Sequence, residues 1–175
     1  PALLCCLYVE ADGLMPHTDL VTLAYLAGAM DADGSFHINM SWTKKRRNQA
    51  SWATVTPTLQ LSQKTLGAIT LLHGTFGGTF NRVRIRGHGT FIYQWAVRGK
   101  LAVTACRMLR PFLRNKQKQA WLIEEFAAQR GLPSRLGRPR GSTLTEEEKA
   151  LRLGYVLAMQ SLNTSYDKEV DCATY

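Results

Sequence analysis

The sequence predicts an α+β protein of the order αββαββα, with two hairpins forming a four-stranded antiparallel sheet and the helices packed on the sheet's other face. Two stretches alternate strictly between apolar and polar residues, the period of a strand buried on one side. Before and after them, apolar residues recur every three or four positions, the period of a helix with one buried face. The 175 residues, 45% of them hydrophobic, suffice for one core. A single domain is expected over 18–162, with an N-terminal extension, 1–17, and a polar, acidic, loosely held tail, 163–175.

Thr18 or Asp19 can cap a first helix whose apolar positions Leu20, Leu23, Leu26 and Ala27 continue to Met30. The next run, Ser35 to Thr43, points Phe36, Ile38, Met40 and Trp42 one way and Ser35, His37, Asn39, Ser41 and Thr43 the other. After a basic tip, Lys44, Lys45, Arg46 and Arg47, alternation resumes from Thr54 to Ser62. There Val55, Leu59 and Leu61 oppose Thr54, Thr56, Thr58, Gln60 and Ser62, and Pro57 suggests a bulge or an unpaired position. A helix over Thr65 to His73 ends before the glycines at 74 to 78. In the second hairpin Phe80, Arg82, Arg84 and Arg86 share one face and Val83 and Ile85 the other, with a turn at Gly87 to Gly89 and a return strand from Thr90 to Arg98 that carries Gln94. Helices over Lys100 to Leu109 and Asn115 to Gln129 are separated at Pro111. A loop from Gly131 to Gly141 leads to a capping box, Thr145 to Glu148, that opens a last helix ending near Leu162.

The formal charge is +9, and its distribution says more than its size. No Asp or Glu occurs from Gly34 to Ile123, a stretch that holds fifteen of the 22 Lys and Arg residues. Such charges repel one another unless a polyanion lies against them, which points to nucleic acid first and an anionic membrane second. A membrane would call for an apolar run of about 20 residues or a basic amphipathic helix, whereas the basic residues lie largely on strand-like segments, so membrane is the weaker alternative. Cys5, Cys6, Cys106 and Cys172 form no C-x-x-C pair and no zinc spacing, and read as reduced and structural. The apolar start, Pro1 to Val9, lacks the basic flank of a secretory signal, and an intracellular location is expected.

The strand faces rich in Ser, Thr, Asn, Gln, His and Arg differ from a generic solvated surface, which carries more Lys and Glu. They suit base edges, since Arg matches guanine and Asn or Gln matches adenine, and a two-stranded ribbon fits a major groove. The sheet is therefore expected to be a saddle for duplex DNA. The first helix ends on Asp31 and Asp33. A helix C-terminus carries about half a negative charge, so acids there call for a compensating cation. An EF-hand is excluded, because counting from Asp31 puts Gly34 at the fourth position and Trp42 at the twelfth, where that loop needs Gly at the sixth and Glu at the twelfth. Ala24 and Gly28, four apart, either admit a second helix backbone or simply fit a crowded core.

With this order of elements in place, Leu26 to Gly34, LAGAMDADG, closely resembles the signature of the LAGLIDADG homing endonucleases. Gln60 to Thr65, QLSQKT, and Pro111 to Gln119, PFLRNKQKQ, resemble two further landmarks of the small single-motif members, and Leu132 to Ser134 resembles their link to the last helix. The resemblance covers roughly 19 to 162 and implies a site-specific endonuclease that binds a long pseudo-palindromic duplex and hydrolyses one phosphodiester in each strand. Only one signature copy is present, so it implies a homodimer, with Ala24, Ala27, Gly28 and Asp31 at the interface. Asp33 of each subunit would then meet above the scissile phosphates.

Two carboxylates that close need cations between them. The resemblance assigns Mg2+, or Mn2+, to Asp33 and the main-chain oxygen of Ala32, with Ca2+ able to bind without supporting cleavage. It gives catalytic places to Gln63 and Lys116, Lys116 reading equally as a plain phosphate ligand. Lys118, Arg138 and Arg140 are expected on the DNA backbone. One departure stands out: where relatives commonly carry a basic residue after Thr65 and Leu66, this chain has Gly67, which Lys64 or another residue could replace. The alternative function is a non-cleaving binder of the same fold, an intron RNA maturase or a DNA-binding regulator.

Overall fold

The computed structural model of the protein describes residues 19–42, 53–84, 90–130 and 145–173. The first helix, α1, runs Leu20–Asp33, and Asp19 caps it by accepting from the backbone N–H of Thr22 at 2.6 Å. Leu23, Leu26, Ala27 and Met30 turn inward. The strand β1, Gly34–Trp42, follows without a loop and pairs antiparallel with β2, Ala53–Gln63. The helix α2, Gly67–Phe76, stops at Gly77, whose positive φ of 67° is accessible to glycine without strain. The strands β3, Thr79–Arg84, and β4, Phe91–Arg98, form the second hairpin. Then come α3, Lys100–Leu109, a 3-10 turn at Arg110–Phe112, α4, Gln117–Arg130, and α5, Glu146–Ala173.

The sheet is antiparallel throughout, in the order β1-β2-β4-β3. Opposed residues share a face, so the register divides the sheet cleanly. Phe36, Ile38, Val55, Leu59, Leu61, Trp95 and Val97 lie under the helices, where Leu26, Met30, Ile69, Leu72, Leu109, Ile123, Phe126 and Met159 complete the core. Trp95 meets its one polar need by donating to the carbonyl of Gly77 at 2.7 Å. Cys106 is buried in α3, and burial, with Glu124 nearby, pushes its thiol well above the ordinary range, which leaves it unreactive as expected of a structural cysteine. Among the described residues no helix is long and apolar enough to cross a membrane.

Three expectations change. Of the two expectations at Pro57 the bulge is absent, since the register with β1 runs unbroken through the pair Ile38 and Pro57, and the unpaired position is found on the β4 side. The proline lies one residue outside the β2–β4 ladder, which starts at Thr58 and Arg98, so its missing N–H is needed by neither neighbour. The last helix continues past Leu162 to Ala173, following the reciprocal capping box at its start: Thr145 N–H donates to Glu148 at 3.0 Å and Glu148 N–H to Thr145 at 3.2 Å. Third, β3 is exposed along its whole length, so the face expected to be apolar there, Val83, is not buried.

Candidate active site and nucleic-acid interface

The end of α1 is held by residues more than 80 positions away. Asp31 turns inward and accepts from the backbone N–H groups of Arg114, Asn115 and Lys116, at 2.6, 3.3 and 3.0 Å. These N–H groups belong to the turn that opens α4, where a carboxylate is electrostatically favoured. In return the ammonium of Lys116 donates to the carbonyls of Met30, Ala32 and Gly34, at 3.1, 3.3 and 2.7 Å. Two helix ends of opposite sign thus each receive a side chain of the matching charge. The cation that the acids at 31 and 33 call for is Lys116, and it is buried.

Asp33 behaves differently from Asp31. It is exposed at the tip of α1, and Gln63, the last residue of β2, donates to its Oδ2 at 2.9 Å. The structure therefore joins Asp33 and Gln63, thirty residues apart. It places Lys116 beside them but with its ammonium on main-chain oxygens. The carboxylate of Asp33 and the carbonyl of Ala32 are both oxygen donors, the class that hard divalent cations prefer. Among the described residues no three His, Cys, Asp or Glu side chains gather as metal ligands.

The outward stripe of α1 is apolar. Val21 is 79% exposed and Tyr25 54%, and Ala24, Gly28 and Ala32 continue the stripe toward Asp33. Among the described residues nothing requires Gly28 to be small, since a Cβ built there meets nothing within 4 Å. Gly34 is the opposite case, because a Cβ there would lie 2.6 Å from the carbonyl oxygen of Met30. The four residues expected at a helix–helix interface are accordingly divided. Ala24 and Gly28 are exposed, whereas Ala27 is fully buried and the carboxylate of Asp31 accepts from the start of α4.

The sheet face away from the helices carries Ser35, His37, Asn39 and Ser41 from β1 and Thr54, Thr56, Thr58, Gln60 and Ser62 from β2. Gln94 joins them and donates to Ser62 at 3.3 Å. Thr58 is buried between its row neighbours His37 and Arg98. Burial lowers the pKa of His37 and favours its neutral form.

Arg82 and Arg84 are not on this face. Their row partners are Tyr93 and Phe91, on the helix side with Trp95, while Asn81 stands opposite Gln94. The open face therefore gains Asn81 and Arg98, which sequence reading missed. A signal was present, because Trp95 and Gln94 are adjacent and must point opposite ways. Without the register it could not be carried to β3. Lys118 is exposed in the first turn of α4. Thr43, Lys44, Lys45, Arg46, Arg47, Arg86, Arg138 and Arg140, with the extension 1–17, the turn at 87–89 and the segment 132–134, lie outside the described residues.

Neither a family model nor a curated protein sequence matches the chain. Solved structures do. The homing endonuclease I-TnaI superposes with a TM-score of 0.54 at 16% identity, over 83% of this chain and 96% of that one. I-CvuI, solved in complex with its target in the presence of Ca, gives 0.51 at 21% identity over 82% and 95%. The archaeal intron-encoded I-Vdi141I, complexed with DNA, gives 0.50 at 12% identity over 82% and 98%. These similarities extend over nearly the whole of each relative, and the chain has the fold of these homing endonucleases.

Proposed function

We propose that the protein is a LAGLIDADG homing endonuclease that binds duplex DNA as a homodimer and hydrolyses a phosphodiester in each strand with a divalent metal ion. The observation that carries this reading is the outward stripe of α1. Val21, Ala24, Tyr25, Gly28 and Ala32 are exposed, Gly28 has no close neighbour of its own, and the stripe leads directly to Asp33. Apolar surface is costly to leave in water, and a second α1 laid along it would bring two Asp33 carboxylates together.

Asp33 and the carbonyl of Ala32 would hold Mg2+ or Mn2+, which supplies Lewis acidity toward a phosphate and a lowered pKa for a bound water. Gln63 fixes one oxygen of Asp33 and leaves the other free. Lys116 neutralises the carbonyl end of α1, and so sets where Asp33 stands without touching phosphate itself. Ser35, His37, Asn39, Thr54, Thr56, Gln60 and Gln94 give the open face a mixture of donors and acceptors suited to base edges. DNA complexes of I-CvuI and I-Vdi141I support the same use of this fold.

The decisive experiment is a cleavage selection from a randomised palindromic duplex library with Mg2+ present, run on wild type and Asp33→Asn. The expected result is cutting by wild type alone, with duplex affinity nearly unchanged in the variant. Equal loss of binding and cutting in Asp33→Asn would refute the metal-site assignment. Binding without any cutting by wild type would favour the non-cleaving binder, and tighter binding to structured RNA than to duplex DNA would favour a maturase.

A further inference from the structure

We propose that Arg82 is a DNA-backbone ligand on the cutting side of the sheet, where it supplies the positive charge that Gly67 cannot. The proposal rests on the reading that duplex DNA is the partner. DNA approaching Asp33 meets a carboxylate at the negative end of a helix, so phosphates there need cations from the protein. Lys116 does not serve, because its ammonium is buried on three carbonyls. Gly67 has no side chain, and a Cβ built there meets only the hydroxyl of Tyr25, at 3.8 Å.

The register names the replacement. Gln63 stands opposite Tyr93, and Tyr93 opposite Arg82, so the three form one row across β2, β4 and β3 on a single face of the sheet. Strands lie about 4.8 Å apart, which puts the Cα of Arg82 about 10 Å from that of Gln63. An arginine side chain and one phosphate together span such a gap. The side chain is also held: its guanidinium carbon lies 3.8 Å from the centroid of the Phe91 ring. Stacking uses the flat face of the guanidinium and leaves its edge N–H groups for a bidentate anion.

No carboxylate competes for those N–H groups within the sheet, α2 or α3, because the chain has no Asp or Glu from Gly34 to Ile123. On the helix side Arg82 cannot read bases beside Gln94, but it shares its face with the residue that holds Asp33. A basic side chain displaced from the start of α2 to the neighbouring edge strand would serve the same phosphates.

The test compares wild type, Arg82→Met and Arg82→Lys in binding to a random-sequence duplex across a salt series, and in cleavage of a duplex selected from the palindromic library. Each lost phosphate contact lowers the slope of log affinity against log salt by about 0.9. The expected result is a slope lower by about one per subunit in Arg82→Met, restored in Arg82→Lys, with cleavage at least tenfold slower in Arg82→Met. An unchanged slope in a folded Arg82→Met would overturn the proposal, as would cleavage by Arg82→Met as fast as by a wild type that cuts. If wild type binds but never cuts, the nuclease reading fails, and the slope comparison still decides whether Arg82 holds phosphate. Should Arg82→Met not fold, Arg82→Gln, which keeps the stem and the planar end, gives the same comparison.

Discussion

The ammonium of Lys116 donates to the carbonyl of Gly34 at 2.7 Å, which places a buried cation on the residue that joins the signature helix to its strand. The same group serves Met30 and Ala32. Replacing Lys116 with Met strips these carbonyls of a charged donor beside a carboxylate. Unfolding free energy from a urea titration should fall by about 3 kcal/mol. A lysine kept only for phosphate would give no such loss, and its removal from the interior would leave stability unchanged or raise it.

The two glycines of the signature region should respond in opposite ways. Gly34→Ala forces a Cβ to within 2.6 Å of the Met30 carbonyl oxygen and 2.7 Å of its Cα, atoms that cannot rotate away. It should cost about 1–3 kcal/mol in urea titration and displace Asp33. At Gly28 a Cβ meets nothing within 4 Å among the described residues, and Gly28→Leu improves helix propensity by about 0.8 kcal/mol. Its subunit should be no less stable, while sedimentation equilibrium should show at least a tenfold weaker dimer. A dimer unaffected by Gly28→Leu would remove α1 from the interface.

His37 should make stability depend on pH. Burial lowers its pKa in the folded chain, whereas the unfolded chain has the ordinary value of about 6.5. Between the two values the unfolded state binds more protons, so unfolding free energy rises with pH. The contribution is fully present above pH of about 6.5 and is lost as pH falls through that value toward the lower folded pKa. Urea titrations from pH 5 to 8 should show this slope in wild type and a flatter one in His37→Gln. Duplex DNA on the open face should oppose the shift, since phosphates favour the charged imidazole.

Much of the fold was legible because its elements are locally consistent. Strict alternation from Ser35 to Thr43 and from Thr54 to Ser62 located β1 and β2 to within one residue at each end, and the capping box at Thr145 and Glu148 opened α5 where expected. Asp33 and Gln63, each named by the resemblance, are joined by a hydrogen bond of 2.9 Å. The extra length of α5 went unread because its last turns are polar, and periodicity detects only helices with an apolar side.

The sequence by itself determined the order of elements, the acid-free basic stretch and the exposed acid at the end of a small-residue helix, all properties of neighbouring residues. Tertiary structure alone decided what the neighbours across the fold do. Side chains in a strand alternate with period two, so a one-residue difference in pairing exchanges faces. In β3, exposed along both faces, no burial pattern fixed that choice, and only the partnership of Asn81 with Gln94 moved Arg82 to the side of Gln63. Lys116, likewise, became a clamp because α4 begins against the end of α1, a contact between residues more than 80 positions apart that no local pattern encodes.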